Sequence, residues 1–74
     1  MDSQRRIELK VDRHLSGRFT LKERNIGARG WDDVSEEHLF GNSNEASFYR
    51  AVARRLADYA KEGIVVENYV DNQR

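Results

Sequence analysis

The segment that most constrains the fold is the amphipathic stretch beginning at the end of "FGNSNE". Its apolar residues recur at helical spacing and form one broad stripe, which consists of Phe48, Tyr49, Val52, Ala53, Leu56, Tyr59 and Ala60. Asn42, Ser43 and Asn44 offer N-cap oxygens before it, and Gly63 is placed for a left-handed C-cap. We predict a helix over about 44–62, and its apolar stripe requires a second layer to cover it.

The N-terminal third predicts a β-hairpin that could supply this layer. In "IELKV" (residues 7–11) and "FTL" (residues 19–21), apolar residues alternate with polar ones, the period of a half-buried strand. A two-residue loop would place apolar and basic side chains on one face. A three-residue loop or a five-residue loop aligns the apolar sets, and the five-residue loop does so by pairing Val11 with Leu21. Gly17 supplies the positive φ that such a loop needs.

The segment "IVVENYV" (residues 64–70) predicts a third strand after the helix, because it is rich in β-branched residues. The expected fold class is therefore α+β, a three-stranded antiparallel sheet (N-terminal hairpin plus C-terminal strand) packed against one long helix. The connector before the helix allows two alternatives. It forms either a short turn capped by Asp32 or Asp33, or a fourth short strand near 38–40.

Length and composition limit what this chain can be. Its 74 residues predict a single small interaction domain over 1–74, with frayed ends near 1–4 and 71–74. The absence of cysteine excludes disulfides and thiolate zinc sites. The chain has no apolar run long enough to span a bilayer, and "MDSQRR" lacks the apolar segment of a signal peptide. We therefore expect a cytoplasmic monomer with no membrane association.

The charges sum to zero but are segregated along the chain. Residues 1–30 carry eight Lys or Arg and four acids, whereas residues 31–47 carry five acids and no Lys or Arg. A net charge of zero argues against nonspecific nucleic-acid binding as the dominant behaviour, since the affinity of such binding comes from phosphate neutralisation. Two outcomes stay open: the folded chain presents a basic face, or the basic and acidic segments neutralise each other.

No motif in the sequence identifies a reaction. The carboxylates of "DDVSEEH" and His38 raise the alternative of a metal site, but acids of this kind also favour helix N-termini and complement a basic hairpin. No serine stands in a nucleophile-elbow motif, and "GARG" has too few glycines for a dinucleotide fingerprint. A core this small leaves little side-chain material to line a substrate pocket. We expect no enzymatic activity, no metal and no cofactor.

Surface recognition is then the expected function. The candidate partner-binding residues are Lys10, Arg18, Lys22 and Arg24 on the hairpin, Arg29 and Trp31 in the connector, and Arg50 and Arg54 on the helix. Arg50 and Arg54 are four residues apart and repel each other, which nothing in folding requires. Trp31 is open to two interpretations, a cap on the end of the core or an anchor for a partner. We expect it to be partly buried, with Arg29 and the following acids exposed.

The size, the arginine-rich composition, the absence of cysteine and the β-β-α-β order resemble the small phage-encoded proteins that bind host bacterial RNA polymerase. The resemblance implies a non-enzymatic regulator, located in the host bacterial cytoplasm, that contacts the polymerase through protein-protein surfaces. It implies inhibition of initiation, promotion of antitermination, or both. The alternative is a small nucleic-acid-binding domain that uses the basic hairpin and the helix face.

Overall fold

The computed structural model describes residues 4–71, which form a four-stranded sheet with one helix packed on a single face. The elements in chain order are β1 (Arg6–Arg13), β2 (Phe19–Asn25), β3 (Asp32–Asp33), α1 (Glu45–Lys61) and β4 (Val65–Asp71). The strand order in the sheet is β3-β2-β1-β4. The predicted α+β class is confirmed.

The hairpin adopts the five-residue loop, the longer of the two that keep its apolar sets on one face. Arg13 pairs with Phe19 at the loop, and Val11 pairs with Leu21, as predicted for this register. Gly17 has a φ of 87° within the loop, a backbone conformation that a residue with a Cβ rarely adopts. The turn therefore sets which side of both strands faces the helix.

The boundaries of α1 match the predicted capping residues. Asn44 is the N-cap, and its side-chain oxygen accepts a hydrogen bond from the backbone N–H of Ser47 at 2.9 Å. At the other end, Gly63 has a φ of 73°. The backbone N–H of Ile64 then donates to the carbonyl of Tyr59, a bond that turns the chain toward β4.

The buried stripe of α1 is rotated from the predicted one. Ala51 is buried, whereas Ala53 and Ala60 are exposed. The stripe is centred on Phe48 and Val52, and the two exposed alanines lie more than about 100° around the helix from Phe48 at 100° per residue. An alanine side chain is small enough to lie on a buried or an exposed face, so the sequence did not indicate which alanines of α1 are buried.

The predicted three-stranded antiparallel sheet is wrong in strand number and in one direction. β3 adds a fourth strand antiparallel to β2, and β4 runs parallel to β1, with Leu9 opposite Tyr69. The pairing of β1 with β4 shifts register between Ile7 and Glu8. The sheet is therefore mixed, and the cause lies in the path of the connector.

The connector, residues 26–44, runs back along the free edge of β2. Asp32 and Asp33 form β3 there, so neither of them caps a turn. Further along, Val34 donates its N–H to the carbonyl of Leu21 at 2.9 Å, and Leu21 donates to the carbonyl of Leu39 at 2.8 Å. Residues 38–40 lie in a turn, so the alternative strand at that position is also wrong. This path returns the chain to the hairpin end of the sheet. α1 runs from there to the opposite end, and β4 returns from that opposite end parallel to β1.

The core lies between α1 and the covered face of the sheet, and the connector contributes to it. Its buried members are Ile7, Leu9, Val11, Leu21, Val34, Leu39, Phe48, Ala51, Val52 and Tyr59. Phe48 is fully buried and stacks on Phe19 with 5.3 Å between ring centroids. Val34 and Leu39 fill the side of the core that β1 and β4 do not reach.

A tyrosine-carboxylate bridge joins each end of α1 to the sheet. Near the C-terminus of α1, the Tyr59 hydroxyl donates to Glu23 of β2 and accepts from Arg55 Nε at 2.8 Å. Burial and the bond to Glu23 raise the pKa of Tyr59 to about 12. Because this buried hydroxyl has both a donor and an acceptor partner, hydrogen bonds compensate for its loss of hydration.

The second bridge joins the N-terminal part of α1 to two strands. The Tyr49 hydroxyl donates to Asp71 of β4 and accepts from Arg13 of β1, and Arg13 Nε donates to Asp71 at 3.2 Å. Burial and the bond to Asp71 raise the pKa of Tyr49. Fraying was predicted for 1–4 and 71–74. Asp71 is the last residue of β4, and residues 1–3 and 72–74 lie outside the described residues.

The bridges predict an unusual alkaline titration. Tyr49, Tyr59 and Tyr69 all have raised pKa values, with burial as the first cause. Folding therefore favours the neutral phenols. This stabilisation is complete below the unfolded pKa of about 10 and is lost as the pH rises through the folded values. Near-ultraviolet absorbance should show tyrosinate forming well above pH ~10 in the folded chain and near pH ~10 in urea. A complete tyrosine transition near pH ~10 in the folded chain would contradict the two bridges.

The place of the connector in the core predicts a contrast between adjacent residues. Leu39→Ala should lower the free energy of unfolding by about 2–5 kcal/mol, because Leu39 is fully buried and its loss leaves a cavity. Phe40→Ala is the matched control, and it should change stability by less than about 0.5 kcal/mol because Phe40 is 56% exposed. Urea denaturation of both variants measures the difference. Equal effects would show that the connector does not pack as described.

Candidate partner-binding surface

The candidate residues lie on two opposite sides of the molecule. Lys10, Lys22, Arg24 and Trp31 lie on the sheet face that α1 does not cover, which we call the open sheet face. Arg18 is exposed at its hairpin end, and Arg29 is exposed in the turn before β3. Arg50 and Arg54 are exposed on the outer side of α1 and cannot act with the sheet residues as one surface.

Trp31 contacts two cations on the open sheet face. The Lys10 Nζ lies 4.7 Å from the centre of the indole ring, and the Arg24 guanidinium carbon lies 4.3 Å from it. Both distances are within the range of cation-π attraction. Trp31 is partly buried and its neighbour Arg29 is exposed, as expected. It belongs neither to the core cluster nor to the residues packed against it, so it does not cap the core.

Two of the hairpin cations are neutralised by carboxylates. Lys22 Nζ lies 2.6 Å from Asp33, and Arg24 Nε lies 2.8 Å from Glu8. The hydrogen bond to Asp33 raises the pKa of Lys22. On this face the positive charge of the hairpin is thus partly neutralised by Glu8 of β1 and by Asp33 of β3. Of the cations near Trp31, Lys10 alone has no carboxylate partner within residues 4–71.

A shallow concavity lies beside these residues at the hairpin end of the open sheet face. Its volume is about 430 Å³, and it is lined by Asp12, His14, Ser16, Arg18, Thr20, Lys22, Asp33, Phe40 and Gly41. Phe40 is 56% exposed and provides its aromatic wall. The sequence reasoning did not select Phe40, because an isolated phenylalanine beside a glycine carries no signal that separates a core residue from a displayed one.

The carboxylates of the acidic run, the five acids of residues 31–47, do not converge on one point. Asp33 turns to Lys22, Glu36 lies 3.2 Å from Arg55 on α1, and Glu37 is exposed. Among residues 4–71, no three His, Asp or Glu side chains lie close enough together to hold a metal ion. The carboxylates act chiefly as partners for cations of the same chain.

Comparison with known proteins adds no relative: no protein-family model, curated protein or solved structure matches this chain. None of the helical structure within residues 4–71 is both long and apolar enough to cross a membrane. Any functional interpretation therefore depends on the residues themselves.

The position of Trp31 predicts a small cost for its removal. Trp31→Ala should lower the free energy of unfolding by at most about 2 kcal/mol, because Trp31 lies outside the core cluster and its two cation-π contacts contribute about 0.5–1 kcal/mol each. A tryptophan that filled the core would cost about 3–5 kcal/mol. Urea denaturation followed by far-ultraviolet circular dichroism distinguishes the two values. A loss in the higher range would place the indole in the core and contradict its assignment to the open sheet face.

Proposed function

We propose that this chain is a non-enzymatic regulator of bacterial transcription that binds RNA polymerase through its open sheet face. The observation that carries the proposal is the large aromatic side chain of Trp31, which contacts Lys10 and Arg24 outside the core. Tryptophan and arginine are the residue types most enriched at the centres of protein interfaces. A small domain that keeps its only tryptophan out of its own core has this side chain available for a partner.

The chemistry of the face indicates the kind of partner surface that fits. The indole offers a flat apolar area, and the ammonium of Lys10, which has no carboxylate partner within residues 4–71, adds positive charge beside it. The neighbouring ion pairs of Lys22 and Arg24 form a polar rim with alternating charge. An acidic protein surface with an apolar centre complements this arrangement, since interfaces combine a desolvated aromatic centre with a polar rim.

The regulatory effect would follow from occupancy. A domain this small that docks on the polymerase blocks whatever else uses the same site, such as an initiation factor or a terminator hairpin. Inhibition of initiation and antitermination are both consistent with this mechanism, and both place the protein in the cytoplasm of a bacterial host. Neither outcome requires a catalytic group on this chain.

Direct nucleic-acid binding is the alternative function. It would depend on cations that are free to neutralise phosphate, because the release of counterions supplies most of the affinity. On the hairpin, Lys22 and Arg24 already have carboxylate partners on the same face, and these carboxylates would repel a phosphate backbone. The observations therefore favour a protein partner for the open sheet face.

The proposal predicts a specific loss of binding. Immobilised wild-type chain should retain RNA polymerase subunits from a bacterial lysate and bind the purified enzyme directly. Trp31→Ala should weaken that binding about 30-fold or more, the effect of losing a central interface residue. Arg54→Gln, on the opposite side of the molecule, should change it less than twofold. Mass spectrometry of the retained proteins and biosensor titration of the purified polymerase provide the measurements.

Two results would count against the proposal. Failure to bind purified polymerase would exclude the partner, and wild-type affinity in Trp31→Ala would exclude the open sheet face. A mobility-shift titration with RNA and DNA serves as the third arm. Tight, steeply salt-dependent binding there would favour the nucleic-acid alternative.

A further inference from the structure

A small polar pocket lies on the other side of the molecule, between α1 and the turn at residues 37–40. Its volume is about 160 Å³, and its lining residues are His38, Ser47, Arg50, Ala51 and Arg54. The four helix residues follow each other at spacings of three, one and three, so they occupy a single strip of the helix surface. His38 faces this strip from the turn.

The described residues that line the pocket give it a positive charge and include no counter-ion. Its lining includes two guanidinium groups and no carboxylate. Within residues 4–71, neither Arg50 nor Arg54 has an ion pair, whereas Arg55 on the same helix reaches both Glu23 and Glu36. Two arginines four residues apart destabilise a helix by a few tenths of a kcal/mol. Folding therefore does not account for the pair, and a bound anion would relieve their repulsion.

Asn42 holds the two walls of the pocket in place. Its side-chain amide donates to the carbonyl of His38 at 2.9 Å and to the hydroxyl oxygen of Ser47 at 3.3 Å. Because the Ser47 oxygen accepts this bond, the hydroxyl hydrogen stays available to donate to a ligand. Ala51 is buried and forms a small floor. The His38 backbone and the Ser47 hydroxyl are thus held in place before any ligand arrives, which lowers the entropic cost of binding for this part of the site.

The geometry points to a binding site for a single terminal phosphate group, either inorganic phosphate or a phosphate monoester. Arg50 and Arg54 provide charge and the forked N–H donors that suit phosphate oxygens. Ser47 adds a hydroxyl donor, and His38 lies at the rim. Pockets for organic ligands usually measure several hundred Å³, so this volume suits one small anion. The inference stands apart from the open sheet face, because the two surfaces share no residue.

The test is a titration of the isotopically labelled full chain followed by nuclear magnetic resonance. The probes are sodium phosphate, O-phosphoserine and dimethyl phosphate, with sodium chloride keeping the ionic strength constant. Inorganic phosphate and O-phosphoserine should produce saturable shifts at the amides of His38, Ser47 and residues 50–54. Tighter binding of inorganic phosphate would identify the free ion as the ligand, and tighter binding of O-phosphoserine would identify a phosphate monoester. Dimethyl phosphate should bind at least about tenfold more weakly, since it carries one charge and two blocked oxygens.

Two variants make the test specific. Arg54→Gln should weaken phosphate binding about tenfold or more through loss of a charge-assisted contact. Lys61→Gln is the matched control, because Lys61 is an exposed cation of the same helix outside the pocket lining, and it should change the affinity less than twofold. The spectra also report whether each variant is folded.

Three results would overturn the inference. One is the absence of saturable shifts up to about 50 mM phosphate, where weak millimolar sites are already detected. Another is an equal effect of Arg54→Gln and Lys61→Gln, which would indicate general attraction to the helix. Dimethyl phosphate that binds as tightly as phosphate would exclude a site for a terminal phosphate group.

Discussion

The hydrogen bonding of the connector along the free edge of β2 is the constraint on which the rest of the structure depends. The bonds that Leu21 makes with Val34 and Leu39 cover this edge, which would otherwise present unpaired backbone groups. They also carry the chain back to the hairpin end of the sheet. α1 must then run toward the opposite end, and the next strand must ascend parallel to β1. One irregular segment thus decides the direction of the helix, the direction of β4 and the closure of the core.

The segregated charges of the sequence resolve in space into neutralised pairs and unpaired cations. The acidic run neutralises part of the basic hairpin, as the Lys22–Asp33 pair shows, and it also reaches α1 through Glu36 and Arg55. Among the cations without an ion pair within residues 4–71, Lys10 lies beside Trp31 on the sheet, whereas Arg50 and Arg54 lie on the helix layer. A helix on one side of a sheet separates any two surfaces built on the outer faces of the layers, so one small chain can present two independent sites.

The small core explains why both sites are surface features. With no disulfide, the ends of α1 are held by tyrosine-carboxylate bridges at Tyr49 and Tyr59, each of which adds hydrogen bonds where apolar area is scarce. The buried apolar side chains are used to cover one sheet face. The two concavities described above are open to solvent and lined mostly by polar residues, which suits a partner surface or a small anion better than an enclosed substrate.

Local patterns determined the individual elements. The alternation of apolar and polar residues limited the hairpin to a three-residue or a five-residue loop, and the structure has the five-residue one. The helix ends follow from Asn44 and Gly63. The candidate cations were also recognisable, because an arginine pair on one helix strip is a local property. The sequence did not reveal β3, the parallel pairing of β4, the burial of Ala51 or the display of Phe40. These depend on which distant segments meet, and the same short segment can form a turn or a strand. Only the tertiary structure supplied the edge of β2 that selected between them, because hydrogen bonds to that edge exist only after the hairpin has formed.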